Sequence, residues 1–581
     1  MIARALNGEG LARGKPRFWL DLVVVAGLAA LLYGAAQVAS QWRQPLRTAV
    51  TIDLSLQALP KYALLSLARG WIAYVLSLIF TVLVASWAYY DLRSRRFVLV
   101  ALDILQSLPT LTFLSVFELA LIGLFPHSNA GLELACVFVI FTGQVWNMVF
   151  SYYDSLRGTP PDFRMLSKLY NYSWWHRFWR VELPFGAQGL LYNSMVSMAG
   201  GWFFLTITEA FQLNNQDFRV PGIGSYMSVA IEKGNGRAEI YGVLAMSVII
   251  VATDRLIWWP LIVWSRKFKL DDFGAAGARK SRFQLWLARS IAVEKFLAGC
   301  NALKRKFLPP STPPSAATSL VAPGTAPRPP RRMGTVLYWL CLTVIIGLIA
   351  WGAVRLVGLI SAVKAADWLE IARDAVFSFG RVLAAVVIGT IWTVPFGVWI
   401  GLNPKVSGRL QPFIQFAASF PSPMIWPWLV GVVLLVGGNM QWGAILLILF
   451  GTQWYILFNV AGAAAAIPND INSCAAVLRL NGWTRWKKFL IPAILPGLVT
   501  GWITAAGGAW NATILAEIQS YRGHSYEATG LGAYISHATD AGDFQKLSAA
   551  ALVMAVIVVG VNRSVWKRIQ ALANERCRFI T

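Results

Sequence analysis

Apolar stretches and short polar breaks alternate along almost the whole chain. Predominantly apolar stretches run over about 18–39, 62–90, 104–126, 131–153, 184–211 and 239–263, and again over 336–357, 373–402, 411–437, 442–463, 492–517 and 545–565. Each is long enough to cross a bilayer, which takes about 20 residues as an α-helix. A membrane β-barrel would instead alternate in units of about 10 residues. The pattern predicts an all-α polytopic membrane protein with about twelve transmembrane helices, six in residues 1–263 and six in 336–581.

Composition agrees. Of 581 residues, 57% are hydrophobic and 13% charged, against about 45–50% and about a quarter in soluble domains. The formal net charge of +24 would point to nucleic acid in a soluble protein. Here the cations cluster on alternate loops. Arg93, Arg95 and Arg96, the segments 157–180 and 479–488, and both chain ends are basic, while the loops 127–131 and 437–441 hold no Lys or Arg. The positive-inside rule then puts both termini in the cytoplasm and removes the reason to expect a nucleic-acid partner. The apolar run 18–39 exceeds a signal-peptide core and reads as an uncleaved first span. The five cysteines and four histidines show no disulfide or metal spacing. No Gly-x-x-x-x-Gly-Lys-Ser/Thr phosphate loop occurs, so the chain is expected to bind no ATP by that route and to be no enzyme.

Residues 264–335 read as a cytoplasmic linker. An amphipathic stretch at 281–307 suits the inner membrane surface, and the Pro-rich 309–332 is a semi-extended spacer. The segments on either side are copies of each other. An offset of 308 carries Asp162 to Asp470, Trp175 to Trp483, Arg177 to Arg485, Pro184 to Pro492, Glu209 to Glu517 and PGIGSY (221–226) to TGLGAY (529–534). Nearer the front, an offset of 312 carries Arg69 to Arg381 and Pro109 to Pro421. An even number of spans per copy gives parallel halves related by an axis along the membrane normal, with the pathway between them.

The most distinctive repeated stretches are aromatic and basic: SWWHRFWRVELP (173–184) and GWTRWKKFLIP (482–492). Each follows a Pro-Asp or Pro-Asn-Asp turn in which Asp162 or Asp470 is predicted to cap a helix, and each is predicted to end at a Pro that opens the next span. Together with QSLP (106–109), GGWFFL (200–205), VPGIGSY (220–226) and GAWNATILAE (508–517), these segments resemble the permeases of binding-protein-dependent ABC importers, in particular a fused form of the nitrate/sulfonate/taurine type. The resemblance implies a separate ATP-binding cassette ATPase dimer that uses ATP and Mg, a periplasmic solute-binding protein, and a multi-pass location in the bacterial inner membrane. The family's cytoplasmic loop carries Glu-Ala-Ala, then Gly. Here those positions hold Met165, Leu166, Ser167 and Asn171 in one copy, and Ser473, Cys474, Ala475 and Arg479 in the other.

The resemblance implies that Asp162, Ser167, Asn171, Trp175 and Pro184, with Asp470, Ala475, Arg479, Trp483 and Pro492, couple the membrane halves to the ATPases. Ionisable residues inside spans are functional candidates. Arg69 and Arg381 are expected to face a shared cleft where they would attract an anion, and Glu209 and Glu517 to shape a gate ahead of the PGIG and TGLG loops. The alternatives for these four are snorkelling and plain surface positions. Two other readings of the whole chain stay open: a secondary transporter of the major-facilitator type, whose basic loop DLRSRR (91–96) resembles, and a membrane scaffold without transport.

Overall fold

The computed structural model describes residues 51–265 and 350–577, apart from 93, 126, 214–215 and 522–523, together with the isolated positions 33, 343 and 347. The first predicted span, the greater part of the seventh, the linker and the two termini lie outside the described residues.

Within them the chain is helical, with eight helices long and apolar enough to cross a membrane. The first half runs α1 (Leu59–Tyr90), α2 (Arg95–Ser107), α3 (Leu114–Leu124), α4 (Ala130–Arg157), α5 (Pro161–Leu169), α6 (Trp174–Thr208), α7 (Ile223–Glu232) and α8 (Gly236–Ser265). After a short apolar helix, α9 (Ala350–Ile360), the series repeats as α10 (Ala365–Leu402), α11 (Pro404–Ser419), α12 (Trp426–Leu435), α13 (Met440–Ala465), α14 (Asn469–Val477), α15 (Gly482–Ala516), α16 (Leu531–Asp540) and α17 (Phe544–Ala573). In each half the fourth helix of the series packs between the first and the sixth. Two antiparallel hairpins, 212–217 and 518–527, follow α6 and α15.

The predicted spans 104–126 and 411–437 are not single helices. Each breaks, at Leu108-Pro109 and at Phe420-Pro421, where the residue before the proline is extended (ψ 129° and 127°) and a 3₁₀ turn follows. Proline lacks the donor for the helical ladder and pushes its predecessor out of the helical region. The prolines 184 and 492 act differently. They do not end a short helix, because α6 and α15 run through them without a break. Just before each proline the helix widens into a π-turn, Phe178–Glu182 and Trp486–Leu490. The extra residue in that turn shifts the ladder where the proline brings no N–H. A second pair of π-turns, Asp254–Trp258 and Asn562–Trp566, also obeys the 308-residue offset. Asn235 and Asp543 cap α8 and α17 with side-chain bonds to backbone N–H groups, each just after a glycine held at φ near +60° (Gly234, 61°; Gly542, 65°).

Each half sets its broken element against the other half. The Asn562 amide donates to Ser107 Oγ at 2.8 Å, Lys567 pairs with Asp103, and the Leu111 N–H donates to Asn511 Oδ1 at 3.3 Å. Reciprocally, α11 packs on α6 and α8, and the fully buried Trp426 meets Phe203 edge-on at 6.5 Å. Trp258 is buried and stacked on Trp71 at 5.8 Å.

Candidate functional site

Two features repeat in both halves, a helix–turn–helix at one end of the bundle and a buried charge cluster toward the other, and a cavity lies between the halves.

The helix–turn–helix comprises α5 and the start of α6, and α14 and the start of α15. Asp162 and Asp470 are not N-caps. α5 starts at Pro161 with Pro160 as its cap, and both aspartates lie in the first helical turn, where a carboxylate favours the helix dipole instead. The bend after each short helix depends on Asn171 (φ 49°) and Arg479 (φ 48°), the only left-handed residues other than glycine among the described ones. Left-handed backbone is the reason a glycine suits this position. Asparagine tolerates it, whereas arginine is strained there.

Ser167 and Ala475 are buried. The Ser167 hydroxyl donates within its own helix to the Arg164 carbonyl at 2.8 Å, and burial keeps both side chains from facing outward. The outward apolar surface consists of Met165, Leu166 and Leu169 in one copy and Val477 and Leu478 in the other. The tryptophans differ. Trp175 is 42% exposed and stacks on Phe178 at 6.0 Å, while Trp483 is 75% exposed. In the first half this unit is tied to the end of α1. Arg177 Nε bonds Glu182 at 2.9 Å, the Tyr90 hydroxyl donates to the same carboxylate, and the Arg177 guanidinium lies 4.8 Å over the Tyr90 ring. Glu182 was not singled out in the sequence. Its signal is a lone acid in a basic stretch. The second copy has Leu490 at that place, and Arg485 reaches Asn472 at 3.0 Å.

The charge clusters overturn the expected anion cleft. Arg69 is completely buried. Its guanidinium holds Glu133 through two bonds of 2.6 and 2.7 Å, Glu209 at 2.7 Å and the Pro221 carbonyl at 2.8 Å. Arg381 holds Glu517 at 2.7 Å, the Gln441 carbonyl at 3.2 Å and the Gln441 side chain. Neither snorkels, and neither offers its charge to a solute, because burial forces such a cation to keep carboxylate partners.

Glu209 and Glu517 also grip the loops that follow α6 and α15. Glu209 accepts from Ser66 Oγ at 2.7 Å and from the Gly224 N–H at 2.9 Å. Glu517 accepts from Ser378 Oγ at 2.7 Å and from the Gly532 N–H at 2.8 Å. A Cβ on Gly222 or Gly530 would lie 2.2 or 2.3 Å from the carboxylate oxygen. Gly222 is extended (φ −176°), so space, not backbone freedom, requires glycine there. The pair thus latches the helices that follow the loops, α7 and α16, to the bundle. The partners Ser66, Glu133, Ser378 and Gln441 were not singled out in the sequence, although the Ser-x-x-Arg spacing repeats at offset 312.

Between the halves lies a cavity of about 360 Å³. Its wall is contributed pairwise by the two copies: Thr206 with Ile514, Ser228 with Ser536, Glu232 with Asp540. No Lys or Arg lines it among the described residues. No group of three His, Cys, Asp or Glu among the described residues is placed to hold a metal.

The profile of the family described as "binding-protein-dependent transport system inner membrane component" matches the chain twice, over 56–257 and 393–572. The bicarbonate transport system permease protein CmpB of Synechococcus elongatus is 32% identical over 187 residues, which are 32% of this chain and 62% of that one. The nitrate import permease protein NrtB of Leptolyngbya laminosa is 29% identical over 184 residues, 32% of this chain and 61% of that one. The chain thus spans about three fifths of the length of the curated relatives it matches.

Proposed function

Because the chain belongs to the family of binding-protein-dependent transport system inner membrane components, we propose that it supplies both membrane halves of an ATP-driven importer in a bacterial inner membrane. The observation that carries this reading is the repeated helix–turn–helix, built twice on the left-handed Asn171 and Arg479 and joined rigidly to a long helix by a π-turn. An external motor needs such a lever. The motor is a separate ATP-binding cassette dimer, which uses ATP and Mg, and a periplasmic binding protein delivers the solute on the opposite face. Both termini and the linker 264–335 lie on the motor's side, as the Lys and Arg distribution favours.

Trp175 and Trp483, with the exposed Met165, Leu166, Val477 and Leu478, form the motor contact. Asp162, Asp470, Ser167, Ala475, Asn171 and Arg479 shape the short helices behind it, and Pro184 and Pro492 sit where each lever meets its span. Rocking of the halves opens and closes the cavity between them, and the Glu209 and Glu517 clusters carry the motion to α7 and α16.

The relatives named for bicarbonate and nitrate suggest a small inorganic anion as solute. In this cavity the available donors are neutral, among them Thr206, Ser228, Ser536 and Gln519, so recognition rests on hydrogen bonds and not on the two arginines.

The test is reconstitution with a candidate ATP-binding cassette ATPase and periplasmic binding protein. ATP hydrolysis and uptake of labelled bicarbonate or nitrate should require both partners, and replacing 162–184 or 470–492 with a flexible linker should abolish assembly. Full uptake without either segment would refute the reading.

A further inference from the structure

The face of the second half opposite the helix–turn–helix carries a pocket of about 510 Å³. It is separate from the cavity between the halves, and most of its ionisable lining is acidic: Glu370, Asp374, Glu527 and Asp543, with His537 and Lys546. Several of these charges already have partners. Lys546 pairs with Asp367 at 3.0 Å, His537 with Glu527 at 3.0 Å, and Asp543 caps α17 through the Gln545 and Lys546 N–H groups.

Glu370 and Asp374 have neither a hydrogen bond nor an ion pair among the described residues. They lie one turn apart on α10, where like charges oppose helix stability unless a cation sits between them. Asp374 is only 7% exposed and lines the pocket. A second orphan points to the same space. The Tyr534 hydroxyl is buried without a partner and lines the pocket too.

The first half shows what a closed version looks like. Tyr62 stands where Asp374 stands in the second half, and its hydroxyl accepts the Asp53 N–H at 3.1 Å. Tyr226, the counterpart of Tyr534, donates to the Leu54 carbonyl at 3.0 Å. Residues 52–54 thus complete the polar groups there, and the equivalent groups of the second half stay open.

We propose that this pocket binds a primary ammonium group, held by Asp374, Glu370 and the Tyr534 hydroxyl. An ammonium carries three N–H donors, which matches the three oxygen-bearing side chains that line this pocket. A metal ion is a poorer match, because no three-ligand group for one exists among the described residues. The alanines 533, 538 and 541 leave the rest of the wall apolar, suiting an aliphatic stem. The Gln441 side chain, which bonds Arg381, also lines the pocket, so an occupant would rest on the second-half latch. The ammonium would come from a free amine or from a lysine of a docked binding protein.

The test uses the full chain in nanodiscs with lysine methyl ester as probe. Saturable binding is expected for wild type. Asp374→Asn and Glu370→Gln should each weaken it by at least about tenfold, and Tyr534→Phe should weaken it several-fold. Tetramethylammonium, which has no N–H, should not compete. Glu370 is exposed, so the E370Q variant reports without a folding risk. If the ammonium belongs to a protein, the free probe will not bind wild type, but D374N and E370Q will lose salt-sensitive capture of the binding protein. This second arm rests on the proposed function, and the first does not. An unaltered interaction in both arms, with ATPase stimulation intact, would overturn the pocket's role and leave the transport reading standing.

Discussion

Replacing Glu517 with Gln should damage the protein far more than replacing Glu209 with Gln, although the two glutamates occupy equivalent places. The reason is the third member of each cluster. Arg69 has two carboxylates, Glu133 and Glu209, both within 2.7 Å. Arg381 has one, Glu517, and its other side-chain partner is the neutral Gln441. In E209Q the guanidinium keeps its doubly bonded Glu133, and the loss is the charge behind the Glu209 contacts with Arg69, Ser66 and Gly224, about 1–3 kcal/mol. In E517Q a buried cation is left with neutral acceptors alone, a situation that costs about 3–5 kcal/mol. The expected gap of about 2 kcal/mol corresponds to roughly a thirtyfold difference in the folded-to-unfolded ratio. Thermal unfolding of each purified variant in one detergent, followed by tryptophan fluorescence, reads the ranking. Gln441→Glu in the E517Q background returns a carboxylate to Arg381 and should recover most of the loss, a coupling that a double-mutant cycle isolates. Equal damage from E209Q and E517Q, or no rescue by Q441E, would show that charge neutralisation is not what stabilises these clusters.

Arg479→Gly should raise stability by about 0.5–1 kcal/mol, since relief of left-handed strain exceeds the entropy gained by the unfolded chain; Asn171→Gly should do little, and a stabilising Arg479→Ala would contradict the backbone explanation. Gly222→Ala or Gly530→Ala should cost about 1–3 kcal/mol by overpacking against the carboxylate, whereas Gly507→Ala, with nothing within 4 Å of a new Cβ, should melt no lower than wild type. Trp483→Ala should weaken ATPase association more than Trp175→Ala, by about 2 kcal/mol if the ring anchors the contact, because Trp175 is partly engaged with Phe178 and Trp179 inside its own chain. Co-purification with the ATPase and uptake per ATP hydrolysed will check the pair.

The sequence by itself determined the features that follow from composition and period. Apolar runs of bilayer length identified the long helices, because a buried backbone in lipid must satisfy its own hydrogen bonds. Repeated polar, Gly, Pro and Trp positions identified two copies, because such residues do not recur at one offset by hydrophobicity alone. The glycine-equivalent places of the two helix–turn–helix units were legible as Asn171 and Arg479, and their left-handed backbone accounts for the position. Tertiary structure decided the rest. A proline predicts a disturbance but not its form: Pro109 and Pro421 break their helices, while Pro184 and Pro492 are absorbed by π-turns. An arginine inside a span likewise reads the same whether it snorkels, binds a solute or is neutralised. Arg69 was settled only by Glu133 and Glu209, which lie 64 and 140 residues away. Contacts at such separations leave no periodic trace in the chain, and it is they that decide whether a buried charge is free to act.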